Sequence, residues 1–396
     1  MLKLSARTSL IQPSPTLALD AQVKAMKAQG VDIINLGVGE PNWQTPDHVK
    51  QAAIKAIQDG FTRYTASEGI LELRQAISEK FKNDNNLDYQ PSQIVVSNGG
   101  KHVLHNILQC LCNPGDEVVI PTPYWVTYPP LVLLAGGTPV FVPTLKEDGY
   151  LLTPQALSRA LTPKTKGLIL NSPSNPTGMV YSTEDLQALG KVLLDWDGWI
   201  ISDDIYEKLT YEPYAFTNLA MACPRLKERI AIVHGVSKTY AMTGWRIGFM
   251  AASEPLAKAA TKLQSHMTSN PNSIAQKAAL AALTGPQEVA KRMKDAFRQN
   301  RDVALNILSK MPRVSCPAPQ GAFYLFPDVS EHFGRVISGV EVKNSDDLAS
   351  VLLSECKVAT VPGSGFGQPR AIRLSYATSE EDIRTGLNRL GELLSQ

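Results

Sequence analysis

His234-Gly235-Val236-Ser237-Lys238-Thr239-Tyr240-Ala241-Met242-Thr243-Gly244-Trp245-Arg246-Ile247-Gly248 lies between two short apolar runs. Ile230-Ala231-Ile232-Val233 before it and Ile247 to Ala252 after it each read as a buried strand, so Lys238 falls on a connection. Desolvation of a lysine on such a Ser/Thr/Gly-rich turn favours the neutral amine, the form that attacks an aldehyde. Most lysines on turns are simply solvated. Here Ser237 precedes the lysine and Arg246 follows eight positions on. Together they offer an amine for a Schiff base, and a hydroxyl and a guanidinium for a phosphate.

Working outward, Thr138 to Val142, Gly167 to Leu170 and Trp199 to Ser202 read as short strands, separated by helical stretches such as Ser182 to Trp196. Alternation of this kind implies an α/β fold with a mainly parallel sheet covered on both faces, and ligands beyond the carboxyl ends of its strands. Four such ends carry chemistry. Ile94 to Ser97 runs into Asn98-Gly99-Gly100-Lys101, where a helix begins; free N–H groups and the positive dipole end make an anion site there. Glu117 to Ile120 leads to Pro121-Thr122-Pro123-Tyr124-Trp125, and a tryptophan at a strand end can cover a flat heteroaromatic ring. Asn171-Ser172-Pro173-Ser174-Asn175-Pro176-Thr177-Gly178 is fixed as an irregular loop by its X-Pro steps and glycine. Asp203, in Ser202-Asp203-Asp204-Ile205-Tyr206, leaves a buried strand and can keep a pyridine nitrogen protonated. Amine, phosphate donors, ring cover and acid partner are the demands of pyridoxal phosphate.

The chain has 396 residues, 43% of them hydrophobic, enough for a large core divided between two domains. Its net charge of +2 is spread without a basic block, which gives no reason to expect nucleic acid as a partner. Met1 to Gln12 lacks the apolar core of an export signal and no apolar run approaches a membrane span, so a cytoplasmic protein is expected. The five cysteines are scattered and read as reduced thiols; His102 and His105 lack the second spaced pair that a metal site requires, and no metal is expected.

The string SKTYAMTGWRIG closely resembles the cofactor-lysine segment of class I aminotransferases, and the chain from about Pro13 to Gln396 is similar to the aspartate aminotransferase family, bacterial-type subgroup. The resemblance implies a fold type I transferase. It also implies a smaller α+β domain beside the large one: residues 1–46 form an N-terminal arm and part of the small domain, 47–290 the large cofactor domain and 291–396 the rest of the small one. By the same match Lys238 holds the cofactor, Asp203 meets its ring nitrogen, Tyr206 and Asn175 its phenolic oxygen, and Trp125 stacks on its face. Gly100 and Lys101 (through the backbone), Ser237 and Arg246 hold the phosphate, together with Tyr64 of a neighbouring subunit, so a homodimer with shared sites is implied. Arg373, in the alternating run Ile372 to Ala377, takes the substrate α-carboxylate bidentately, with Gly39, Trp125 and Asn175 around the substrate. Ser174 and Asp204 depart from the family's usual Asn and Glu.

A ping-pong aminotransferase moving the amino group of an L-amino acid, aspartate first among the candidates, to a 2-oxo acid such as 2-oxoglutarate is therefore expected. An enzyme for aromatic or other neutral amino acids, or a fold-type-I lyase with the same cofactor, is the alternative. A ligand sensor would carry a DNA-binding module, for which the segment ahead of the helix expected near Asp47 is short. Where dicarboxylate-preferring relatives often carry basic side chains, this chain has Gln12 and Gln109. A weak preference for acidic substrates follows, unless Arg63 or His266 reads the distal carboxylate.

Overall fold

A computed structural model describes residues 2–395. Its centre is a seven-stranded sheet. In spatial order the strands are Ile94–Ser97, Gly248–Ala251, Ile230–Gly235, Trp199–Asp203, Thr165–Asn171, Glu117–Thr122 and Thr138–Pro143. Gly248–Ala251 runs antiparallel to both neighbours and every other pair is parallel. The segments after Ser97, Thr122, Asn171, Asp203 and Gly235 thus leave along one edge of the sheet.

The apolar alternation along these strands decides which face each residue serves. Ile94, Val96, Val119, Leu168, Leu170, Ile200, Ile230 and Ile232 enter one core cluster with helix residues such as Leu73, Phe81 and Leu189. Their sequence neighbours Val95, Val118, Ile120, Ile169, Ile201, Ala231 and Val233 enter another, with Leu104, Ile107 and Leu108. Both faces are covered, as parallel strands require.

A second body of core gathers Ile34 and Leu36 from the N-terminal region with Phe323, Tyr324, Leu352, Ile372, Leu374 and Leu390. It surrounds a three-stranded antiparallel sheet ordered Val361–Pro362, Ile372–Ser375, Tyr324–Leu325. The helix Glu288–Leu308 buries Met293, Phe297, Asn300, Ala304 and Leu308 along one stripe, while Ala290 packs against the large-sheet core. It therefore touches both cores.

The sequence reads as a helix capped at Thr45 with Pro46 in its first position, a strand over Val31 to Leu36, strand-like aromatics within Pro319 to Phe326 and, by the family resemblance, a loop over Ser265 to Pro271, and the structure corrects each. Pro46 precedes the helix Asp47–Gln58 instead of opening it, and Thr45 does not cap it. The Thr45 hydroxyl donates to the Ala241 carbonyl at 2.8 Å and accepts from Trp245 Nε1 at 3.0 Å, tying this segment to the lysine turn. Within Val31 to Leu36 only Ile34–Asn35 is strand, paired with Val358–Ala359, and within Pro319 to Phe326 only Tyr324–Leu325. Ser265, His266 and Met267 are not loop but the last turn of the helix Glu254–Met267. Ahead of Asp47 stands a helix the patterning did not single out, Pro15–Ala28, which packs Val23 with Ile33, Leu353 and Ala359. Among the described residues no helix is long and apolar enough to cross a membrane.

Candidate active site

The loops at the carboxyl edge meet the second body around a cleft of about 450 Å3. Gly39, Gly100, Lys101, Trp125, Asn175, Asp203, Tyr206, Ser237, Lys238, Arg246 and Arg373 all border it, although they come from distant parts of the chain. Tyr64 does not, and its side chain is 89% exposed.

Lys238 is half-buried by surface area, with its Nζ donating to the Gly39 carbonyl at 2.6 Å. Desolvation of the amine lowers its pKa to about 8, partly countered by Glu40. The neutral amine is thereby accessible near neutral pH, as the turn composition suggested. Asp203 is 4% exposed, and burial raises its pKa to about 6 against the opposing Tyr128 hydroxyl, which donates to Oδ2 at 2.8 Å. A carboxylate without a cation is costly there, so the position suits a positively charged ligand atom.

The anion end is built from backbone and one arginine. Gly99 precedes the helix Gly100–Leu111 with a φ of 85° and no side-chain cap, so the first N–H groups face the cleft edge unspent. A Cβ on Gly99 would lie 2.4 Å from an Arg246 nitrogen, and one on Gly248 2.4 Å from the Gly100 nitrogen. Glycine at 99 lets the guanidinium lie against the start of the helix, and glycine at 248 lets its own strand pass close to that turn. Arg246 is itself pinned by a bond from its Nη1 to the Thr243 carbonyl, 2.8 Å. A phosphate suits this donor set.

Arg373 is 2% exposed, its Nη1 donating to Asn175 Oδ1 at 3.0 Å and its Nη2 to the Gly37 carbonyl at 2.8 Å. Its Nε is buried without a partner. Because the Asn175 oxygen is engaged by Arg373, its amide NH2 is the group left for a ligand. Trp125 meets Tyr128 edge-on at 5.5 Å, and Lys101 Nζ lies 5.2 Å from the Trp125 ring.

Three side chains here were not singled out from the sequence. Tyr128 holds Asp203, Asn171 donates to the Asp203 carbonyl at 2.8 Å, and the Tyr324 hydroxyl lies 2.8 Å from that of Tyr206. Tyr128 follows Trp125 by three residues and was available to a reading of that turn. Tyr324 is brought in by a strand register that no local pattern reveals. Gln12 and Gln109, by contrast, lie outside the cleft, and Gln109 is exposed and donates to the Leu134 carbonyl. Arg63 and His266 are exposed and do not border it. The His102 and His105 rings stack at 6.4 Å, and the described residues contain no group of three or more metal-ligating side chains.

An amine, an acid partner and a phosphate cradle at the carboxyl edge of this sheet define a fold type I site for pyridoxal phosphate. The family model for aminotransferase class I and II matches residues 31–390. Aspartate aminotransferase of Bacillus subtilis is 48% identical over 98% of each chain, and aspartate/prephenate aminotransferase of Nitrosomonas europaea 47% identical over 100% of each. Aspartate aminotransferase of Rhizobium meliloti superposes with a TM-score of 0.96 at 42% identity, covering 100% of this chain and 99% of that one. The Thermus thermophilus aspartate aminotransferase solved with maleate superposes at 0.92 and 40% identity, covering 99% of this chain and 100% of that one. The chain belongs to the class I and II aminotransferases and is a pyridoxal-phosphate-dependent enzyme.

Proposed function

We propose that this aminotransferase takes the amino group of aspartate and passes it to a 2-oxo acid such as 2-oxoglutarate, in a cytoplasmic homodimer whose sites are shared. The observation that carries the reading is the convergence of Lys238, Asp203, Arg246 and Arg373 on one cleft. The bacterial relatives named for aspartate, and the maleate held by one of them, support a dicarboxylic substrate. The same relatives supply a second reading, prephenate as acceptor, from the name of the Nitrosomonas europaea enzyme. The deciding experiment is a screen of amino donors against 2-oxoglutarate and prephenate with purified protein. A phenylalanine preference over aspartate would overturn the aspartate assignment, and release of ammonia in place of a second amino acid would favour a lyase.

Bound in the cleft, pyridoxal phosphate supplies an aldehyde for the amino group and a ring that accepts the electron pair freed at the substrate α-carbon. Arg246, Ser237 and the N–H groups of Gly100 and Lys101 would hold the phosphate, Trp125 would cover the ring, and Asp203, oriented by Tyr128, would hold a proton at the ring nitrogen. Arg373 would fix the substrate α-carboxylate in the cleft that Lys238 also borders. Lys238 would take up the α-proton as a general base. Its pKa of about 8 gives a pH prediction. Capture of pyridoxal phosphate by the apo-protein should accelerate with rising pH through about 8 and then level off, read by stopped-flow absorbance. A rate independent of pH between 6 and 9 would contradict a titrating amine.

Lys101 changes the expected substrate preference. Its Nζ is the cation on the cleft wall beside Trp125, in the role for which Gln12 and Gln109 are misplaced, and we assign it to the distal carboxylate. Lys101→Gln should lower kcat/KM for aspartate by about 10- to 100-fold, the worth of one charge-assisted bond, with little change for phenylalanine. Equal losses for both substrates would place the ammonium on the cofactor instead.

We also assign Tyr64 to the phosphate of a second subunit. It projects from the connection between the helices Asp47–Gln58 and Leu71–Asn85, where Ile54, Ile57 and Leu71 are exposed at 45%, 56% and 51%, apolar surface of the kind a partner covers. A disabling Tyr64→Asp variant mixed with a Lys238→Ala variant should regain about a quarter of wild-type activity, since half the dimers are mixed and each holds one intact site. No recovery after subunit exchange, or a monomer by light scattering, would refute shared sites. We further propose domain limits of 1–46 with 291–396 for the small domain and 47–290 for the large one, supported by the packing of Ile34 and Leu36 in one core with Phe323 and Leu374.

A further inference from the structure

Tyr324 has no part in the scheme above, yet it touches Arg373 and also Tyr206, the residue that the family resemblance assigns to the cofactor's phenolic oxygen. It is fully buried, on the strand Tyr324–Leu325, and pairs in register with Ser375 beside the strand segment that carries Arg373. Its ring centroid lies 4.5 Å from the Arg373 guanidinium carbon. Its hydroxyl lies 2.8 Å from the Tyr206 hydroxyl, and the two rings cross at 82° with centroids 5.8 Å apart. Phe323, tilted against it at 4.6 Å, completes its packing. Arg373, Tyr206 and Phe323 thus pack against it, and among the described residues its hydroxyl has no hydrogen-bond partner other than Tyr206.

We propose that Tyr324 is a positioning residue that joins the two halves of the site: its ring carries the Arg373 guanidinium, and its hydroxyl aims the Tyr206 hydroxyl at the cofactor's phenolic oxygen. The proposal rests on the roles given above to Tyr206 and Arg373. A hydroxyl has one proton, so within this pair one phenol donates and the other accepts. Arg373 acts on both phenols, but its guanidinium lies against the Tyr324 ring, and the nearer cation stabilises negative charge more on that oxygen, which favours Tyr324 as the donor. Tyr206 then accepts from Tyr324 and its own proton is directed elsewhere, into the cleft that both residues border. Hydrogen bonds in a chain polarise one another, so Tyr206 is a stronger donor with Tyr324 behind it than alone. A donor to a phenolic oxygen favours its anionic form, and losing part of that donation moves the titration of the bound cofactor upward.

The two functions of the side chain separate by substitution in the holoenzyme. Tyr324→Phe keeps the ring under Arg373 and removes only the hydroxyl. It should raise the pH midpoint of the bound-cofactor absorbance by about half a unit or more, and lower kcat more than it raises KM. Affinity for maleate, an unreactive dicarboxylate, should stay within about twofold. Tyr324→Leu should show the same midpoint shift and in addition lose about tenfold in maleate affinity. In a Tyr206→Phe background, Tyr324→Phe should produce no further midpoint shift, since the coupling runs through that one hydroxyl pair. An unmoved midpoint in Tyr324→Phe overturns the proposal, as does an undiminished shift in the Tyr206→Phe background or equal maleate losses in the Phe and Leu variants. If Tyr206→Phe itself leaves the midpoint unchanged, the role given to Tyr206 is wrong and both ideas fall. A shift in Tyr206→Phe without one in Tyr324→Phe removes only the Tyr324 proposal.

Discussion

Lys238→Ala is expected to lose turnover by at least about 10,000-fold, because it removes both the amine that takes up the cofactor and the base at the α-carbon. The position cannot be served by a neighbour. Lys101, the other lysine bordering the cleft, has its Nζ 5.2 Å from the Trp125 ring, whereas Lys238 Nζ bonds the Gly39 carbonyl at 2.6 Å. Alanine also leaves the turn intact, since its backbone bonds (Tyr240 to Val236, Met242 to Ser237) do not involve the lysine side chain. The variant should fold like the wild type by circular dichroism and keep part of its affinity for pyridoxal phosphate through Arg246 and the helix start. The long-wavelength absorbance of cofactor joined to the lysine should be absent. Activity within tenfold of wild type would mean that the amine is supplied elsewhere, and the whole assignment of the cleft would fail.

The parallel sheet was legible because its strands are short, apolar and β-branched, and because each of the five loops at its carboxyl edge carries residues with little structural reason to be there. Ser237-Lys238, Gly100-Lys101 and Asp203 could each be read locally, and the cleft collects them all. Less legible was everything set by pairing across the chain. Tyr324 lies on a strand of only two residues, too short to show a period, and its place opposite Ser375 is a matter of register. The helix Pro15–Ala28 did carry a signal, Ser14-Pro15 ahead of Leu19, Val23 and Met26, but its apolar face is thin and only Val23 is fully buried. Gln12 and Gln109 were candidates by position along the chain alone; the helix Gly100–Leu111 turns Gln109 toward Leu134 and puts Lys101, the residue we assign to the distal carboxylate, at its cleft end.

Asp203→Asn is expected to separate stability from activity. Burial raises the carboxyl pKa from the ordinary 3.8 to about 6, with the Tyr128 hydroxyl opposing. A carboxyl whose folded pKa is raised binds its proton more tightly in the native state. Its effect is neutral below about pH 4, and it subtracts progressively from stability as pH rises toward 6 and stays at that level above. The shift corresponds to a cost on the order of 3 kcal/mol at most. Asparagine is nearly the same shape, can accept from Tyr128 through its amide oxygen, and carries no charge to desolvate. Apo-Asp203→Asn should therefore unfold at higher urea than the apo wild type at pH 7.5, and the gain should shrink toward pH 4. Transamination should move the other way: an amide cannot hold a positive ring nitrogen, so kcat should fall by 100-fold or more, about 3 kcal/mol of barrier. A fall of less than about tenfold, roughly 1.4 kcal/mol, would remove the acid-partner role from Asp203. Unchanged stability alongside lost activity would instead mean that water reaches Asp203 freely in the apo cleft, so that its burial carries no cost until the cofactor binds.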